Sequence, residues 1–165
     1  MNDIVLRIGV LALLSLAVWG AVWVGRRYVE EQRRRALAAA PAAEGAFERT
    51  RSDGAVDSVR VRILAFSSDD CVQCHRLQAP ALRRVIEARG DAVAVVDVDA
   101  PSEPDLTGRY HVLTVPTTVV LDVSGRARAV NYGFANVQKL LDQVDEALIG
   151  ADGDATHVPG GVASN

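Results

Sequence analysis

The chain has two cysteines, Cys71 and Cys74, in one Cys-x-x-Cys followed directly by His75. Thiols at this spacing support three chemistries. They can cycle between dithiol and disulfide, carry haem through two thioethers with His75 as axial ligand, or supply half of a zinc site. Zinc takes four ligands, and the pair with His75 leaves one missing unless two chains share the ion. Haem needs a second axial ligand, and with Met1 as the only methionine that ligand would be His111 or His157. Two cysteines are too few for a disulfide-stapled scaffold. A domain of this size needs no staple, so the pair calls for a chemical explanation.

Placement of the pair depends on its neighbours. Val59 to Phe66 alternates and then turns fully apolar, which predicts a strand. From Cys71 onward Leu77, Ala81, Leu82, Val85 and Ile86 recur at helical spacing. This helix is expected to be capped by Ser68, Asp69 or Asp70 and to end at Gly90. The cysteines thus fall at a helix N-terminus, where unpaired N–H groups and the positive end of the macrodipole stabilise a thiolate. Cys71 is then the attacking, exposed thiol and Cys74 the more buried, resolving one. His75 and Arg76 add positive charge nearby, and Asp69 and Asp70 oppose it.

Further along, Ala92 to Val98 reads as a buried strand and Pro104 to Tyr110 as a short helix. Thr117 to Leu121 reads as a strand, turning through Asp122-Val-Ser-Gly125 into another around Arg128 to Tyr132. Asn136 to Leu148 is an amphipathic helix with Val137, Leu140, Leu141, Val144 and Leu148 on one face. The order is β-α-β-α-β-β-α.

That order, Cys71-Val-Gln-Cys74 at a strand-to-helix turn, and Tyr110-His-Val-Leu-Thr-Val-Pro116-Thr117 downstream resemble the thioredoxin superfamily over residues 59–148. The resemblance implies an α/β thioredoxin-like fold, a mixed central sheet flanked by helices. In that family a cis-proline faces the cysteine pair and the backbone before it pairs with substrate. Pro116, 42 residues beyond Cys74, matches that position, so Val115 and Pro116 are the implied substrate-binding residues. Departures are specific. Asp70 replaces the aromatic residue before the first cysteine, and Val72-Gln73 replaces Gly-Pro. Ala65 occupies the place of a buried acid six residues before Cys71, and Pro80 sits one residue later than the family's kinking proline. The family's extra N-terminal strand and helix are missing or rebuilt from the segment before residue 58.

The flanks carry a different signal. Ile4 to Val24 is apolar except for Arg7, about the length that crosses a bilayer core. Trp19, Trp23 and Tyr28 cluster at one end, as in an interfacial belt. A signal peptide is the rival, but the uncharged core is long and five arginines follow it. Arg26, Arg27, Arg33, Arg34 and Arg35 place the soluble domain on the cytoplasmic side. Four i,i+4 pairs between these arginines and Glu30 and Glu31 predict a helical extension ending at Pro41. The expected organisation is an anchor over 1–25, a basic helix and flexible tether over 26–57, a thioredoxin-like domain over 58–149 and a disordered tail over 150–165.

The first 35 residues hold six of the 18 basic residues and three of the 21 acidic ones. The remainder is acidic and has one lysine, so it offers no nucleic-acid footprint. The expected function is thiol–disulfide exchange with protein substrates through Cys71 and Cys74, with an unidentified redox partner and neither cofactor nor metal. The rival class is a tethered binding module that uses the groove beside Pro116 for recognition alone.

Overall fold

The computed structural model describes residues 2–39 and 59–154. The expected tether from residue 40 to 57 and the tail from residue 155 lie outside the described residues. The chain divides into two units, one ending at Arg35 and one beginning at Ala36.

Helix α1, Asn2–Ala38, is continuous through the apolar stretch and its charged extension. Its large apolar side chains, Leu11, Leu13, Leu16 and Trp19 among them, stand exposed on every side. A helix apolar all round has no polar face to turn to water, and this one is long and apolar enough to cross a membrane. In the charged extension Arg34 pairs with Glu30 at 3.8 Å and Arg35 with Glu31 at 3.1 Å. Arg27 departs from the expected pairing. Its guanidinium lies 4.6 Å from the centre of the Trp23 ring, and Glu31 is taken by Arg35.

In the second unit, β1 (Val61–Ser67) leads into α2 (72–89) and β2 (Val93–Asp99). Then follow α3 (Pro104–Arg109), β3 (Thr117–Leu121), β4 (Ala127–Tyr132) and α4 (Val137–Asp154). The strands form one sheet in the order β2-β1-β3-β4. β1 runs parallel to β2 and antiparallel to β3, and β3 pairs antiparallel with β4. This is the mixed sheet the sequence predicts, with the same element order.

β1 is central and buried on both faces, which is why its sequence turns continuously apolar. Val61, Ile63 and Ala65 share one core with Leu82 and Val85 of α2 and with Leu140 and Val144 of α4. Leu64 and Phe66 face the opposite core with Val98, Tyr110 and Val119. Each fully buried side chain of this size contributes roughly 1.5–3 kcal/mol.

Three expectations change. The apolar run of β2 does not make a buried strand. Among the described residues β2 pairs only with β1, so it forms an edge where Asp97 and Asp99 are exposed and Ala94, Val95 and Val96 only half-buried. In α2, Leu77 is 47% and Ile86 39% exposed, whereas Gln78, Ala81, Leu82 and Val85 are buried. The helix meets the sheet along one line through Gln78, Ala81 and Val85, and Leu77 and Ile86 sit about a quarter turn to either side. Finally, α4 runs past Leu148 to Asp154, so the expected tail begins inside a helix. No proline interrupts that stretch, and the glycines within it weaken a helix without breaking it.

Candidate functional site

The turn from β1 into α2 is tightly bonded. The Cys71 N–H donates to the Ser68 carbonyl at 3.0 Å and the Val72 N–H to that of Asp70 at 3.0 Å. Helical geometry begins at Val72, so Cys71 occupies the capping position itself. The Cys74 N–H donates both to the Cys71 carbonyl and to Cys71 Sγ, each at 3.1 Å. The expected oxygen cap from Ser68, Asp69 or Asp70 is thus replaced by sulfur, because the chain reverses one residue later than the polar run suggests. Cys71 and Cys74 are joined as a disulfide, with Cα atoms 5.3 Å apart. Both are largely covered, Cys71 at 9% exposure and Cys74 at 5%, so Cys71 is not the exposed thiol that its place at the helix start suggests.

Behind the pair the helix is not regular. Cys74–Gln78 is a π-helical turn, and the Ala79 N–H donates to the Cys74 carbonyl five residues back. Pro80 explains it. Proline has no N–H for the carbonyl four residues earlier and its ring crowds that oxygen, so the ladder loosens ahead of it. The fully regular part, Ala79–Arg89, follows and closes at Gly90, whose φ of 53° turns the chain into the next strand.

On the buried side of that turn lies Gln78. Its Oε1 accepts from the Ala135 N–H at 2.9 Å and its Nε2 donates to the Ala135 carbonyl at 3.3 Å. This link ties α2 to the loop after β4. Sequence reasoning missed it, although Gln78 is four residues from both Cys74 and Leu82 and hence on the same helical face.

The peptide bond between Val115 and Pro116 is cis, as the resemblance implies. The Pro116 carbonyl accepts from the Gly133 N–H at 2.8 Å. Pro116 and Cys74 line one cavity of about 230 Å³, together with Ala65, His75, Gln78 and Asp97. Val115 lines a separate groove with Ser68, Pro101, Leu113 and Thr114. The two implied substrate-binding residues thus line separate recesses, and the one that holds Pro116 also holds Cys74. His75 sits at the rim and its Nε2 donates to the Asp69 carbonyl at 3.1 Å. His111 lies just past α3 with a left-handed φ of 49°, and His157 is outside the described residues.

The arrangement can run dithiol chemistry. A sulfur at a helix start, with an N–H aimed at it, is a stabilised leaving group and a stabilised nucleophile.

Comparison with known proteins agrees with this geometry. Residues 46–146 match the family model described as Thioredoxin. The chain is 30% identical over 77 residues to thioredoxin of Listeria monocytogenes, covering 47% of this chain and 68% of that protein. It is 26% identical over 112 residues to thioredoxin of Bacillus subtilis, covering 68% of this chain and 100% of that one. Among solved structures, chloroplastic thioredoxin z superposes with a TM-score of 0.51 at 25% identity, over 62% of this chain and 90% of that one.

Proposed function

The chain belongs to the thioredoxin family and is a thiol–disulfide oxidoreductase, and on that premise we propose that Cys71 and Cys74 are its redox pair, acting on protein disulfides from a membrane tether. The observation that carries the proposal is the Cys74 N–H directed at Cys71 Sγ at 3.1 Å. A hydrogen bond to a charged acceptor contributes about 1.5–3 kcal/mol, and a helix N-terminus adds about 0.3–1 kcal/mol. Both favour the thiolate at Cys71 over Cys74, which makes Cys71 the attacking sulfur.

In the reducing direction the Cys71 thiolate attacks one sulfur of a substrate disulfide. The other substrate sulfur leaves with the electron pair, and a mixed disulfide forms. Cys74 then attacks Cys71 Sγ, releases the second substrate sulfur and closes the Cys71–Cys74 bond. Two electrons have passed from the dithiol to the substrate. The backbone at Val115 and Pro116 holds the substrate strand beside the disulfide.

The tether is α1, whose apolar stretch has a mean hydropathy of 2.1. Its arginine-rich C-terminal flank favours a cytoplasmic domain, where a reductant is the useful role.

A Cys74→Ser variant should accumulate mixed disulfides with client proteins through Cys71, and Cys71→Ser should accumulate none. If neither variant traps a partner and the wild type reduces no model disulfide, the pair is not the redox centre and the fold serves for binding alone.

A further inference from the structure

The cavity behind Cys74 has a carboxylate on its wall, but not on the strand where the family resemblance looks for one. On β1 that place holds Ala65. Across the parallel ladder Ala65 is in register with Asp97 of β2. Residues paired in a ladder project to the same face of the sheet, so the Asp97 side chain leaves the sheet beside the Ala65 methyl. Both line the cavity that also holds Cys74 and Pro116. At about 230 Å³ this space far exceeds the roughly 15 Å³ that one water needs. Among the described residues β2 lies at the edge of the sheet, and Asp97 is exposed, so the carboxylate touches bulk water as well as the cavity.

The other titratable side chain on this wall is His75, and its Nε2 proton is committed to the Asp69 carbonyl. Asp69 and Asp70 belong to the turn before Cys71 and do not line the cavity. Cys74 is 5% exposed among largely apolar neighbours, surroundings that disfavour its ionised form. The thiol that must ionise to resolve a mixed disulfide is the one least able to give its proton straight to solvent.

We propose that Asp97 is the proton acceptor for Cys74, working through water in this cavity and replacing from β2 the acid that β1 lacks. The inference rests on the reading of Cys71 and Cys74 as the redox pair. In the resolving step the Cys74 S–H bond breaks and its proton passes through water to the Asp97 carboxylate. The freed sulfur attacks Cys71 Sγ, the bond from Cys71 to the substrate sulfur breaks, and the Cys71–Cys74 bond forms. The substrate sulfur leaves with the electron pair and takes a proton from water. A carboxylate is a weaker base than a thiolate, so Asp97 holds the proton only in passing, and its exposure lets it discharge to solvent.

The test is single-turnover reaction of the reduced full-length protein with glutathione disulfide, followed by acid quench and mass spectrometry. The time course separates formation of the protein–glutathione mixed disulfide from its resolution. Asp97→Asn should leave formation unchanged and slow resolution by about tenfold or more, and Asp97→Glu should restore it. Resolution as fast as wild type, or a failure of Glu to rescue, overturns the proposal. Faster resolution also overturns it, because Asp97 would then act as a charge that merely keeps Cys74 protonated. A wild type that forms no mixed disulfide, or never resolves it, overturns the redox reading itself along with the role of Asp97.

Discussion

Gln78 closes a two-point hydrogen-bonded clamp on the backbone of Ala135, from the helix carrying Cys74 to the loop after β4. Both residues are buried, Gln78 at 3% and Ala135 at 0% exposure. Removing the side chain strands a buried N–H and a buried carbonyl, each costing about 1–3 kcal/mol. Gln78→Ala should therefore lose roughly 2–4 kcal/mol of unfolding free energy. In urea the midpoint should fall with the slope unchanged. A loss below about 1 kcal/mol would mean that water takes over both groups.

The same helix separates what spacing reveals from what it hides. Leu77 and Leu82 look equivalent in the sequence, yet only Leu82 is buried. Leu82→Ala should destabilise by about 2–5 kcal/mol, and Leu77→Ala should stay within about 0.5 kcal/mol of wild type. Equal losses from the two would contradict the observed phase of the helix.

Legibility followed the range of the interactions. Strand β3, the turn at Asp122 to Gly125 and the cysteine pair at a helix start all depend on neighbours in sequence, and each was readable. The edge position that β2 takes among the described residues depends on strand order, and the pairing of Ala65 with Asp97 depends on register; local spacing encodes neither. The sulfur cap and the π-helical turn depend on where the chain turns and on how Pro80 disturbs the carbonyls before it. Gln78 was within reach, since a polar residue on an otherwise apolar helical face needs a partner.

Asp122 makes the stability pH-dependent. Burial pushes its carboxyl up, but hydrogen bonds from Ser124, Arg128 and the Arg126 backbone outweigh burial and hold the group below its ordinary value. Its Oδ1 accepts from the Ser124 N–H at 2.9 Å and the Arg126 N–H at 3.0 Å, and its Oδ2 accepts from Arg128 Nε at 2.6 Å. Arg128 is the extra residue of a β-bulge opposite Val120 and Leu121, which aims it back at the turn. A depressed folded-state pKa gives stability that is complete above the unfolded value, about 3.9, and is lost as pH falls through the lower folded one. Asp122→Ala should cost roughly 2–4 kcal/mol at pH 7. The gap to wild type should narrow in chemical denaturation below about pH 4. A gap that stays constant down to pH 2 would assign the effect to turn geometry alone.

The arginines that follow the apolar stretch give a prediction about sidedness. Arg26, Arg27, Arg33, Arg34 and Arg35 lie within the last turns of α1, against Arg7 near its other end. Retaining such a cluster on the cytoplasmic side is the stronger orienting term, and Glu30 and Glu31 count for little against it. In intact cells a membrane-impermeant maleimide should leave the reduced cysteines unlabelled and should label them after permeabilisation. The protein should also stay with the membrane through carbonate extraction. Replacing those five arginines with glutamine removes the bias, and a fraction of the molecules should then become labelled from outside. Labelling of the wild type in intact cells would reverse the assignment and shift the expected chemistry from reducing client disulfides towards forming them, since the compartment sets the direction of exchange.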